Sequence, residues 1–274
     1  MARLLDIINN NKSLRQVYEY LELGFHTDDA HFIQSCLNSF QIDSTVLTSE
    51  NLTSVRKFIA DEMESQQYSK RDKAEMDNII SVYGSTFISV QSEELPERHI
   101  DAGWAIKFYE CVRNTYVQDL QTLWSRILEI ELKKPNTFFK RTLDVFFNAD
   151  KFEIDWFYQI TQFVFDKACI PEFVLTDNKF YPFNKFQTLV DAGFVNASLG
   201  GLSYPESFSI HLTSADLNIE VVKPPFGFGI YTLTDAGSQL FNLRSESNTE
   251  EYITKLKEII EKSNTAKVTS VVHK

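Results

Sequence analysis

The chain has 274 residues, with 27 Lys and Arg against 38 Asp and Glu, and its net charge of −11 repels nucleic acid and anionic lipid at long range. With 43% hydrophobic and 14% aromatic residues, including 23 Phe and 11 Tyr, it carries the material for a large core and is not a disordered chain. No run of about 18 apolar residues occurs, and MARLLDIINNNKSLRQ at the start is too interrupted for a signal peptide, so no membrane span and a cytoplasmic location are expected.

The spacing of Leu14, Val17, Tyr18 and Leu21 predicts a helix, with Gly24 where a left-handed C-terminal residue is expected. Asp28 is expected to cap the next helix, which turns Phe32, Ile33, Cys36 and Leu37 inward. Thr48 or Ser49 caps the one after, with Leu52, Val55, Phe58, Ile59 and Met63. The polar run over residues 68–73 marks a boundary, closing an N-terminal helical region over 1–68. A central helical region over 69–166 follows. Met76, Ile79, Ile80, Tyr83, Phe87 and Val90 form one stripe, weakened at Gly84 and ended before Pro96. Asp101 opens a helix bearing Trp104, Phe108, Cys111 and Val112. Thr115 and Gln118, at capping-box spacing, start another with Leu120, Leu123, Trp124, Ile127 and Leu128, which Pro135 ends. Asn136 or Thr137 then caps a helix that buries Leu143, Phe146 and Phe147. Asp150 with Glu153 starts one carrying Trp156, Phe157, Ile160, Phe163 and Val164.

From Lys167 the texture changes. Residues 182–193 read as a short helix ending at Gly193, and residues 208–213, 217–222 and 228–234 read as strands joined by turns, with Pro224, Pro225 and Gly227 in the second turn. Helix returns over 234–243 and 249–262, the latter with Tyr252, Ile253, Leu256, Ile259 and Ile260 inward, and the polar residues 265–274 are expected to fray. The fold class is mainly α: helical N-terminal and central regions, a winged-helix-like part over 167–243 with a small antiparallel β-sheet, then a C-terminal helix and frayed tail over 244–274.

The winged-helix reading rests on a helix followed by a hairpin whose closing strand runs into a helix through a threonine, here Leu189-Val-Asp-Ala-Gly-Phe-Val195 and Tyr231-Thr-Leu-Thr-Asp-Ala-Gly237. A wing that reads DNA needs cations at the phosphates. Lys179, Lys185 and Lys223 stand against Asp177, Asp191, Glu206, Asp216, Glu220 and Asp235, which favours packing or protein contact over DNA.

Motifs for chemistry are absent. Cys36, Cys111 and Cys169 are far apart and in apolar settings, as buried thiols of a reducing compartment would be. His26 and His31 are five apart, off the spacing of ligands sharing a helix face. There is no GxSxG elbow, and Gly200-Gly201 and Phe226-Gly-Phe-Gly229 lack the Lys-Ser/Thr of a phosphate loop, so no catalytic residue, metal or cofactor is assigned. Lys133, Lys134, Lys140 and Arg141 flank Pro135 as the one concentrated basic patch. It can meet phosphate beside a helix N-terminus or an acidic partner. In the competing reading the lysines complement a helix dipole and Arg141 pairs with Glu129 or Glu131. Phe138 and Phe139 are adjacent and cannot both point the same way, so one is an interface candidate. Lys133, Lys134, Phe138, Phe139, Lys140 and Arg141 are therefore the candidate partner-binding residues.

Three consecutive segments carry a resemblance. Asp101, Trp104 and Phe108 give D-x-x-W-x-x-x-F; Gln121, Leu123, Trp124, Ile127, Leu128 and Glu131 give Q-x-L-W-x-x-I-L-x-x-E; and Pro135, Thr137, Phe138, Arg141, Thr142 and Leu143 give P-x-T-F-x-x-R-T-L. With Leu233-Thr-Asp-Ala-Gly-Ser-Gln-Leu240, they resemble an uncharacterised bacterial family over about residues 69–243. Asn136 departs from the glycine that family often carries after the proline, and Phe139 from a polar residue. The resemblance implies no catalytic residue, and it implies an accessory role in phage defence. The expectation is a non-enzymatic sensor or adaptor acting through protein–protein contacts, with a second defence component or a phage protein as partner. A winged-helix DNA-binding regulator and an enzyme with an unrecognised site are the alternatives, and homo-oligomerisation is left open.

Overall fold

The computed structural model describes residues 2–25, 27–97, 101–176, 180–243 and 248–274, leaving out the side chains of residues 27 and 28. His26, Asp177, Lys179 and the cap expected of Asp28 lie outside the described residues. The chain divides into two compact units, Met1–Phe147 and Asn148–Lys274.

In the first unit a short strand β1 (Ala2–Arg3) pairs with β2 (Gln41–Ile42), enclosing α1 (Leu4–Asn10), α2 (Lys12–Gly24) and α3 (Thr27–Ser39). Asn11 caps α2 by accepting from Leu14 N at 3.0 Å, and Leu14, Val17, Tyr18 and Leu21 are buried as their spacing predicts. Gly24 does not adopt the left-handed conformation expected of it: it lies in α2, and a Cβ there would strike the ring of Tyr109. Its smallness serves close packing rather than chain reversal.

Two long helices follow, α4 (Ser49–Ser65) and α5 (Lys70–Val90). Reciprocal capping boxes start both, Thr48 with Asn51 and Ser69 with Asp72, so the polar run at 68–73 is a helix start and not a linker. The Arg56 guanidinium forks onto Asp77 at 2.7 and 2.6 Å, and Leu52 fills the space beside Gly84, through which α5 runs unbroken.

Next come α6 (Ala102–Arg113), α7 (Gln118–Lys133) and α8 (Lys140–Asn148). Asp101 caps α6 through Trp104 N at 2.8 Å. Thr115 does not cap α7: it is buried, its hydroxyl donates to Cys111 O and its carbonyl accepts from Gln121 Nε2. Aromatic rings link the three helices, Trp104 stacked on Phe108 at 5.1 Å, Phe108 edge-on to Trp124 at 5.4 Å and Trp124 edge-on to Phe146 at 4.8 Å. Phe147, expected inside, is 37% exposed.

In the second unit Asp150 and Glu153 form the expected capping box of α9 (Lys151–Thr161). Phe157 of α9 stacks on Phe194 at 4.7 Å and Tyr181 Oη donates to Trp156 O at 3.0 Å, which ties α9 to residues 181–194 rather than to a central region. Then come β3 (Cys169–Pro171), α10 (Phe173–Thr176), α11 (Phe183–Asp191), β4 (Gly200–Tyr204), β5 (Phe208–His211), β6 (Ala215–Val221), β7 (Phe226–Thr232), α12 (Asp235–Phe241), α13 (Glu250–Lys262) and β8 (Ala266–His273).

Two antiparallel three-stranded sheets result, ordered β3-β7-β4 and β5-β6-β8. The three expected strands correspond to β5, β6 and β7, displaced by one or two residues at their ends. However, β7 leaves β6 and pairs with β4 through Leu202 opposite Phe228. Gly193, at φ 84, ends the turn after α11, and Thr234 caps α12 by accepting from Gly237 N at 3.0 Å. The tail expected to fray is a strand. Lacking an apolar stripe, β8 is held by its main-chain ladder to β6, by Lys267 on Glu220 at 2.9 Å and by Lys274 Nζ on Asp216 at 2.8 Å. The described part of the protein is thus mainly α with small antiparallel sheets, and no described helix is long and apolar enough to cross a membrane.

Candidate partner-binding turn

Helix α7 presents Trp124, Ile127, Leu128 and Glu131 along one stripe, so a carboxylate enters the core at the helix end. Glu131 is 2% exposed. Beyond Lys133 the chain leaves the helix at Lys134, passes Pro135, which has no N–H to place, and turns back at Asn136 with φ 68. Asparagine tolerates that left-handed conformation better than most residues, at the position where the resembling family often carries glycine.

Glu131 fastens the turn. Its Oε1 accepts from Asn136 N at 2.5 Å, and its Oε2 accepts from Thr137 N at 3.0 Å and Phe138 N at 2.9 Å. Thr137 Oγ1 donates to Lys134 O at 2.6 Å, and Trp104 Nε1 donates to Phe138 O at 2.8 Å. Burial raises the Glu131 carboxyl above its ordinary range, and the N–H groups of Phe138, Asn136 and Thr137 oppose that rise. Glu131 and Trp104 thereby bond the turn directly, while Asp101 caps the helix that carries Trp104.

The six candidate residues separate. Phe138 is 1% exposed and belongs to the core, whereas Phe139 is 53% exposed. Lys133 is held by Glu93 at 3.0 Å and Glu129 at 2.9 Å, and Lys140 by Asp101 at 2.7 Å. Neither Lys134 nor Arg141 forms an ion pair with a described residue; the pairing of Arg141 with Glu129 or Glu131 does not occur, because Glu131 faces inward to the backbone. The N–H groups of residues 136–138, which precede the helix, bond Glu131 and are not available to a phosphate. Neither Asn136 nor Thr137 caps α8, which begins after Phe139, whose carbonyl accepts from Leu143 N at 3.2 Å.

Sequence reasoning named Glu131 but missed its task. The signal was available, because Glu131 stands seven residues after Trp124 and so on the same buried stripe. A second buried acid, Glu75, went unremarked. It receives Arg71 Nε at 2.5 Å and also Arg113 Nε, and these bonds outweigh burial and hold its carboxyl below the ordinary range. Burial pushes the Cys36 thiol up to about 11 and the Cys111 thiol up to about 12, so neither is a ready nucleophile.

No curated protein and no solved structure matches the chain. Residues 62–172 match a family described as a protein of unknown function, DUF2806. The three motif segments of residues 101–143 lie within that match, and residues 233–240 lie outside it. The chain therefore carries a region similar to an uncharacterised domain family, and this region includes the fastened turn.

Proposed function

We propose that the protein is a non-enzymatic adaptor that recognises another protein through the turn of residues 134–141. One observation carries this reading: Glu131 and Trp104 fix the turn while Phe139 stays more than half exposed beside it. A preordered aromatic loses little freedom on binding, which is the property of an interface anchor. Lys134 and Arg141 add cations without described ion-pair partners, so the fitting surface is an apolar socket rimmed by carboxylates.

In the second unit the helix α11, the β3-β7-β4 sheet and the threonine-capped α12 support reading residues 167–243 as winged-helix-like, with β5 and β6 inserted between β4 and β7. Its use for duplex DNA is disfavoured by charge. Residues 148–274 carry eleven Lys and Arg against sixteen Asp and Glu. Lys185, the cation of α11, lies over the Trp156 ring at 5.1 Å and bonds Gln159.

The test is a pull-down with the full chain from bacterial cells with and without phage infection, the setting that the motif resemblance implies. Phe139→Ala should leave the melting temperature within about 1 °C, because the side chain is exposed, and should weaken capture of the bound protein by about 30-fold. Equal capture by wild type and Phe139→Ala, or by wild type and a Lys134→Glu/Arg141→Glu variant, would remove the turn from the interface.

A further inference from the structure

A cleft of about 310 Å³ opens in the first unit among α3, α4, α5 and α6, apart from the turn. Met63, Met76 and Ile79 make its apolar wall. Tyr109 also lines it, is wholly buried, and has a hydroxyl with no hydrogen-bond partner among the described residues. The ring is fixed by the edge of Phe25 at 5.7 Å and by the close approach of Gly24. A buried hydroxyl left without a partner is costly, and folded proteins retain few of them.

The charges of the lining narrow the ligand. Glu75 and Arg113 bond one another, which leaves Asp29 and Asp72, both negative. An anion entering here would meet these carboxylates with a single guanidinium that is already engaged. A cation would find carboxylate acceptors and, in the Tyr109 oxygen, one more acceptor. The volume is at the small end for a small-molecule site, and four charged side chains, Asp29, Asp72, Glu75 and Arg113, beside the apolar wall suit a ligand with one charged and one apolar end. We infer that this cleft binds a small amphipathic amine, its ammonium between Asp29 and the Tyr109 hydroxyl and its aliphatic part against Met63, Met76 and Ile79.

The test uses the full chain and n-hexylamine, with n-hexanol and hexanoate at equal ionic strength as controls, read by calorimetric titration and by thermal unfolding. Hexylamine should bind saturably and raise the melting temperature, and hexanoate should do neither. Tyr109→Phe removes only the lone hydroxyl, so the ligand-free protein should melt at the same or a higher temperature while hexylamine binds about tenfold more weakly. Asp29→Asn should weaken it by a similar factor. A response to hexanoate equal to that for hexylamine, affinity unchanged in both variants, or a ligand-free Tyr109→Phe protein that melts lower would each overturn the assignment. The last result would mean that the hydroxyl already has a partner within the chain.

Discussion

Two buried carboxylates do opposite things with their neighbours. Glu131 faces three main-chain donors, and Glu75 faces two guanidinium groups. Glu131→Gln keeps the shape of the side chain but sets an NH2 group against those N–H groups. It should cost about 2–4 kcal/mol in urea unfolding, well above a typical surface substitution. Glu75 contributes to the response to acid. Because its folded carboxyl sits below the ordinary 4.5, its contribution is complete above that pH and disappears as pH falls through the lowered value. Urea midpoints measured downward from pH 6 should therefore drop more steeply in wild type than in Glu75→Gln; parallel curves would show that the two arginines do not stabilise the charge.

Among the elements, β8 depends little on side-chain burial and mainly on main-chain pairing. Removing residues 266–274 would leave the β6 edge open. The melting temperature should fall, and size-exclusion chromatography should show self-association as open edges pair. This strand was invisible to pattern reading because periodicity detects apolar stripes, and Ala266 is its one fully buried side chain. β4 escaped for a related reason, since Gly200 and Gly201 have the composition of a turn. Helices with both a stripe and a cap, such as α4, α5 and α9, start where they were expected, although α9 ends at Thr161, before Phe163 and Val164 of its expected inner face. At the candidate turn, adjacency of Phe138 and Phe139 showed that one must face out. Which one, and that Lys133 and Lys140 would be paired, depended on Trp104, Glu93 and Asp101, distant in sequence and close only after folding.

Over the whole molecule, acidity is shared. Residues 148–274 hold eleven basic and sixteen acidic side chains, and the remaining residues hold sixteen and twenty-two. Both halves carry net negative charge, so long-range attraction favours partners of positive or low charge, and an acidic partner must be met by a local feature such as Lys134 with Arg141. The Glu131 bonds give that local feature an unusual kinetic signature. Surface-turn amides ordinarily exchange with deuterium quickly, but those of Asn136, Thr137 and Phe138 are bonded to a side chain rooted in the interior of α7. They cannot be released by fraying of the turn alone. Their exchange should be as slow as that of the α7 backbone and should accelerate together with it in low denaturant, so three amides at the protein's rim report the opening of its core.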